Sequence, residues 1–385
     1  MNDRLPPTPD AASSGGFDPA HRTSLFEFDL PSLVTEIEGM GLPRRNATQL
    51  LKWIYERGIA DIAQMTDLSR DARAQIEARF STLQGSIVRH QVASDGTQKL
   101  LIEWDESDAG GEAGTREESA LRLSGGDSDR QTETVLIPTD DRQTACVSSQ
   151  IGCPVGCKFC ASGIGGLGGN LTAGRIVEQV WRLARLEGVG RVSNVVFMGM
   201  GEPLANFTNV TQAIRILNAE WGMGIGARKI TVSTVGLPAA IRKLCTLDIP
   251  VTLALSLHAP FDELRRAIIP WAEYSTIAEL LDACQEWFHK TGREITLEYI
   301  LLGGVNDQRE HATELARLAR GMRANVNLIR YNEVDGMPFV RPRNEDVRAF
   351  QQVLQDARVN VHIRASRGRD IAAACGQLRH EARKQ

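Results

Sequence analysis

No stretch of this 385-residue chain approaches 18 consecutive apolar residues, so no membrane-spanning helix is expected. Residues 1–23 lack the apolar centre of a secretion signal. They are dominated by Pro, Ser, Gly and Asp, which predicts a disordered tail. The seven cysteines show no regular pairing, and with no export signal they place the chain in a reducing cytoplasm. No Gly-x-Gly-x-x-Gly follows a first strand, which argues against a dinucleotide-binding doubly wound sheet. A fourth cysteine is also missing where three others cluster.

Those three, Cys153, Cys157 and Cys160, form C-x3-C-x2-C. A structural zinc site closes four ligands around the ion, usually with two paired CxxC arms. Three thiolates instead suit a [4Fe–4S] cube held through three irons, with the fourth open to substrate. The spacing therefore points to an enzyme working at an open iron.

Hydrophobic residues make up 42% of the chain, enough for a large core. The net charge is −4, but Glu103–Glu133 holds ten acidic residues against three arginines and so carries −7, leaving +3 for the rest. A basic face toward nucleic acid is compatible with that remainder, as is an ordinary solvated surface.

Residues 24–84 carry helical periodicity and read as a small helical domain. Residues 85–140 alternate as strands, interrupted by an acidic, mobile insert at 105–130. Residues 141–378 alternate strand and helix, with strands expected at 144–149, 192–198, 229–234, 251–256, 294–301, 325–329 and 359–363. Helices are expected between them, including 173–187 and 277–290, the latter opened by a Thr276-x-x-Glu279 capping box. Residues 379–385 form a tail. Repeated βα units imply a parallel sheet covered by helices. Being fewer than eight, they predict an incomplete TIM-type β/α barrel, with the helical domain and a small β extension attached.

Active residues of such folds gather at the C-terminal ends of strands. There stand the three cysteines, Gly199-Met200-Gly201-Glu202-Pro203, Ser233-Thr234, Ser256-Leu257-His258 and Tyr331-Asn332. Glycines admit a ligand close to the backbone, Glu202 can hold an ammonium, and Ser233 and Asn332 add neutral hydrogen bonds. The set suits a zwitterionic, nucleoside-bearing ligand. Taken singly, His258 reads equally as a structural histidine, and Ser233 and Ser256 as helix caps. Cys245 and Cys284 lie in expected helices and read as core thiols.

The cysteine motif with Phe159, and Val196–Leu204 around the glycines, resemble the radical S-adenosylmethionine (SAM) superfamily. Cys146–Cys153, Asn170–Gly174, Thr231–Gly236, Leu255–Ala259 and above all Arg367–Gln377 resemble the RlmN/Cfr RNA adenine methyltransferases. That resemblance implies a [4Fe–4S] cluster on Cys153, Cys157 and Cys160. It implies SAM, two per turnover, held by Gly201, Glu202, Ser233, Ser256, Leu257, His258 and Asn332. It implies catalytic roles for three further residues. Cys375 is methylated, gives up a hydrogen to a 5′-deoxyadenosyl radical and bonds to adenine. Glu133 accepts a proton. Cys146 then attacks the Cys375 sulfur and releases the product. Implied partners are rRNA and tRNA, docked by the helical domain, and a flavodoxin-type reductant, with the enzyme a monomer away from any membrane. The acidic insert is expected to project away from RNA. Methylation at C2 is the expected outcome; C8 chemistry and a non-catalytic iron–sulfur RNA-binding role remain the alternatives.

Overall fold

The structure, a computed structural model, describes residues 22–105 and 130–378. The acidic insert expected at 105–130 and the two terminal tails therefore lie almost wholly outside the described residues.

The strands are β1 (Thr23–Ser24), β2 (Phe80–Ser81), β3 (Gly85–Val92), β4 (Gln98–Trp104), β5 (Gln131–Thr139), β6 (Arg142–Cys146), β7 (Gln150–Gly152) and β8 (Leu167–Asn170). They continue with β9 (Asn194–Phe197), β10 (Ile230–Thr234), β11 (Thr252–Ser256), β12 (Ile295–Leu301), β13 (Ala324–Arg330) and β14 (Val361–Arg364). Ten of them form one sheet in the order β14-β13-β12-β11-β10-β9-β6-β5-β4-β3. The run from β6 to β14 is parallel throughout, giving seven strands, and among the described residues β14 and β3 are the edges. An open, incomplete β/α barrel results, as the count of βα units predicted. The three extension strands join it antiparallel, so extension and barrel are one continuous sheet.

Local signals account for most helices. Thr276 and Glu279 exchange cap hydrogen bonds at the start of helix Ile277–Thr291, which ends at Gly292 in left-handed geometry (φ 65°). Helix Ala173–Leu183 starts at Thr172, whose hydroxyl accepts from the Arg175 amide. It stops short of the expected residue 187. It is buried almost all round because it packs on the sheet and on the helical domain together: Trp181 Nε1 donates to the Ile54 carbonyl (2.8 Å), and the Phe26 and Trp181 rings lie 5.9 Å apart. The helical domain and the barrel thus share one core, from Leu33 and Ile54 to Leu253 and Leu354. Cys284 lies fully in that core, whereas Cys245 is half-buried. Helix Asp262–Ile268 and the β7–β8 ribbon are too short to show periodicity and were not expected.

The first barrel strand was expected to reach 149. It ends at Cys146, because the chain then leaves the sheet and re-pairs as β7 with β8. Among the described residues, no helix is long and apolar enough to cross a membrane.

Candidate active site

Pairing of β7 with β8 closes the base of loop 153–166, and Cys153 N donates to the Gly166 carbonyl (2.9 Å). The loop carries Cys153, Cys157 and Cys160 into one cavity beside Val155 and Phe159. Burial pushes the Cys153 thiol up to about 12, with neighbouring charges adding to it. The Cys157 and Cys160 thiols are raised in the same direction by burial, and the cation facing Cys157 is the buried Arg265 guanidinium. Thiols in such surroundings keep their protons at neutral pH unless positive charge balances the thiolates, which iron supplies. Among the described residues no three His, Cys, Asp or Glu side chains converge on a single ion. A [4Fe–4S] cube takes its thiolates on three different irons, so its ligands surround a volume and need not meet at a point. The donor set fits a cluster.

The strand-end residues line the same cavity. Gly201 is left-handed (φ 102°), and a Cβ there would stand 2.7 Å from Ser149 and Gln150, so only glycine lets the loop after β9 pass. Glu202 is buried, which raises its carboxyl pKa against the two backbone amides it accepts, Val235 (2.8 Å) and Leu204 (3.0 Å). It therefore ties the loops after β9 and β10 together at the cavity wall. The hydroxyls of Ser233 and Ser256 lie 3.2 Å apart. His258 accepts from the Ile300 amide at Nδ1 (3.1 Å); burial, then Arg265, drives its pKa down to about 3, so it is a neutral imidazole. Its backbone is left-handed (φ 60°), rare for a residue with a side chain. Two expected SAM contacts stand elsewhere. Leu257 packs in the core, and Arg265 Nε donates to its carbonyl (3.1 Å). Asn332 lines a neighbouring groove, its amide donating to the Cys375 carbonyl (3.4 Å) and accepting from Arg341 (3.1 Å).

Cys375 lines both the cluster cavity and that groove. The Ala161 amide donates to the Gly376 carbonyl (2.8 Å) and the Ser162 hydroxyl to the Leu378 carbonyl (2.6 Å), fastening the Cys375 segment to the cysteine loop. Cys146 packs with Val135, Met200, Ala373 and Leu378. Burial first, then the charge of Cys375, raises the Cys146 thiol to about 12, while Arg364 opposes both. Arg364 is held protonated, since Cys375, Glu298 and Cys146 outweigh its burial.

Sheet register accounts for Glu133. Val135 pairs with Cys146, and Glu133 lies two residues back on the same face of β5. Glu133 and Cys146, thirteen positions apart in sequence, thus stand on adjacent strands. Glu133 forms a buried ion pair with Lys99 of β4 (2.7 Å), and Lys99 also donates to the Ala372 carbonyl (3.2 Å). Neither Lys99 nor Arg364 was singled out as a site residue from sequence. The available signal was a lysine at the head of the apolar run of β4, which needs a partner once buried. Lys99→Met is expected to lower stability by about 3–5 kcal/mol, the cost of breaking a buried pair. Chemical denaturation of the cluster-loaded protein checks this, and a loss under about 1 kcal/mol would contradict it.

Comparison with known proteins agrees with this geometry. The family model described as Ribosomal RNA large subunit methyltransferase N-terminal domain matches residues 23–81, and that of the Radical SAM superfamily matches residues 147–316. A probable dual-specificity RNA methyltransferase RlmN of Gloeobacter violaceus is 44% identical over 347 residues, 90% of this chain and 92% of its own. One from Rhodopirellula baltica is 40% identical over 373 residues, 97% of this chain and 94% of its own. The crystal structure of a radical SAM methyltransferase from Sphaerobacter thermophilus superposes with a TM-score of 0.85 at 41% identity, covering 93% of this chain and all of that one.

Proposed function

Because the chain belongs to the RlmN family of radical SAM RNA methyltransferases, which use a [4Fe–4S] cluster and SAM, we propose that it methylates C2 of an adenine in large-subunit rRNA and in tRNA. The observation that carries this reading is the position of Cys375. One side of it faces the cavity of the three cysteines, Glu202, Ser233, Ser256 and His258; the other faces a groove bearing Arg142, His362, Arg364 and Arg367.

Cys153, Cys157 and Cys160 would hold the cluster, and Gly201, Glu202, Ser233, Ser256 and His258 would line the SAM site. Asn332 would serve from the groove side, and Leu257, packed in the core, would support its neighbours Ser256 and His258. The bound cluster and SAM supply an electron, a methyl group and a hydrogen-abstracting radical. The chain's own residues do the rest. The arginines of the groove attract RNA phosphates, and an adenine taken out of its stack reaches Cys375 from that side. Cys375 carries the methyl carbon that bonds to adenine. Glu133, oriented by Lys99, accepts the proton from that carbon of the ring. Cys146, as its thiolate, attacks the Cys375 sulfur, forming a disulfide as the carbon–sulfur bond breaks; the electron pair of that bond passes to the carbon on adenine, which takes up a proton to become the methyl group. Helical residues 24–84 dock the RNA on the barrel, and a flavodoxin-type donor delivers electrons to the monomer in the cytoplasm.

Nucleoside mass spectrometry of rRNA and tRNA after anaerobic reaction tests the assignment. 2-Methyladenosine in both RNAs is expected; 8-methyladenosine alone would overturn the choice of carbon. Absence of 5′-deoxyadenosine from the reduced, reconstituted protein with SAM would overturn catalysis altogether.

A further inference from the structure

Residues 365–378 leave β14, cross the barrel and carry Cys375. One end of the segment is fastened to the cysteine loop through Gly376 and Leu378. The other end meets the turn between β3 and β4, and the two exchange hydrogen bonds in both directions. Asp95 of the turn accepts the Gly368 amide on Oδ2 (3.1 Å) and the Thr97 amide on Oδ1 (3.0 Å), with Arg367 at 4.0 Å. Asp370 of the segment accepts the Ser94 amide on Oδ2 (2.8 Å). Lys99 adds its bond to the Ala372 carbonyl. Gly368 is left-handed (φ 63°), and a Cβ there would stand 2.8 Å from Thr97, so glycine permits the approach.

We propose that Asp95 and Asp370 are positioning residues, forming a reciprocal clasp by which the β3–β4 turn sets where Cys375 stands between the two cavities. This rests on the reading of Cys375 as the methyl carrier. Only residues 373–375 separate the Lys99-bound carbonyl of Ala372 from Gly376, whose carbonyl is bound by Ala161 of the cysteine loop. The four-residue link from one carbonyl to the other reaches at most about 14 Å, and the hydrogen bond from the Gln377 amide to the Ala374 carbonyl (3.0 Å) fixes its path. A shift of the turn is therefore passed to the thiol, and misplacing a reacting group by about 1 Å costs on the order of 10²-fold. Ser94 and Asp370 are exposed, so the clasp lies outside the core and can be cut without emptying it. The antiparallel extension thereby acquires a role in positioning, since β3 and β4 reach past the barrel wall to hold a segment more than 270 residues away in sequence.

The test uses the full-length, cluster-loaded protein with Asp95→Ala, Asp370→Ala and Asp370→Asn. Amide exchange at Ser94 and across 365–378 is expected to speed up about tenfold in both alanine variants. Methylated adenine formed per 5′-deoxyadenosine is expected to fall by about tenfold or more. Asp370→Asn keeps an oxygen that accepts the Ser94 amide and is expected to restore both readouts, which general destabilisation would not allow. Unchanged exchange and unchanged coupling in Asp370→Ala would overturn the clasp. If Asp95→Ala loses its cluster, the exposed Asp370 pair decides. Failure of the methyl-carrier reading is separate: it would appear as RNA methylation surviving Cys375→Ala, while exchange still reports on the clasp.

Discussion

Cys375→Ala is expected to abolish RNA methylation while the protein still folds and still cleaves SAM when reduced. Removing the group that forms the covalent intermediate typically costs on the order of 10⁶ in turnover, so product should fall below detection. The substitution is structurally mild. Its segment is held by backbone carbonyls at Ala372, Gly376 and Leu378 and by the carbonyl of Cys375 itself, none of which the change touches. The three cluster thiols and the strand-end set also stay in place. The measurement is methyladenosine in RNA beside 5′-deoxyadenosine from the same reaction. Methylation at normal rates would move this chain to a different radical SAM chemistry, one using no covalent carrier.

Cys146→Ala is expected to arrest the reaction one step later, as a stable protein–RNA adduct visible on a denaturing gel. Cys146 is the second thiol against the Cys375 segment, packed with Ala373 and Leu378. Its proton is held firmly, with a thiol pKa near 12 set by burial and then by Cys375. It becomes a nucleophile only once that proton leaves, and Arg364 is the cation facing both thiols to favour the thiolate. Without the Cys146 sulfur the carbon–sulfur bond at Cys375 has no internal partner to break it. Free methylated RNA at wild-type rates would remove Cys146 from the mechanism.

Much of this architecture is legible in the chain's own patterns. All seven barrel strands lie within a few residues of the apolar runs that predicted them, because strand formation follows short patterns and turn residues that act locally. The cysteine spacing and the glycines around Gly201 are equally readable, since each constrains only its neighbours. Glu133 was found through family resemblance alone; a single carboxylate in an alternating strand carries no local sign of its role. His258 and Glu202 were placed at the cavity from sequence. The neutral imidazole of the one and the loop-tying bonds of the other became visible only with their backbone partners, Ile300, Val235 and Leu204.

The sequence by itself therefore determined the barrel type, the cysteine loop and the residues at the strand ends. Tertiary structure decided which of those residues meet. It joined the extension to the barrel in one sheet, set Lys99 against Glu133, put Leu257 in the core rather than the cavity, and brought Asp95 to Gly368 and Asp370 to Ser94. The physical reason is range. Periodicity and backbone preference act over a few residues. A buried ion pair or a hydrogen bond between segments 273 and 276 residues apart depends on the register and burial of the whole sheet.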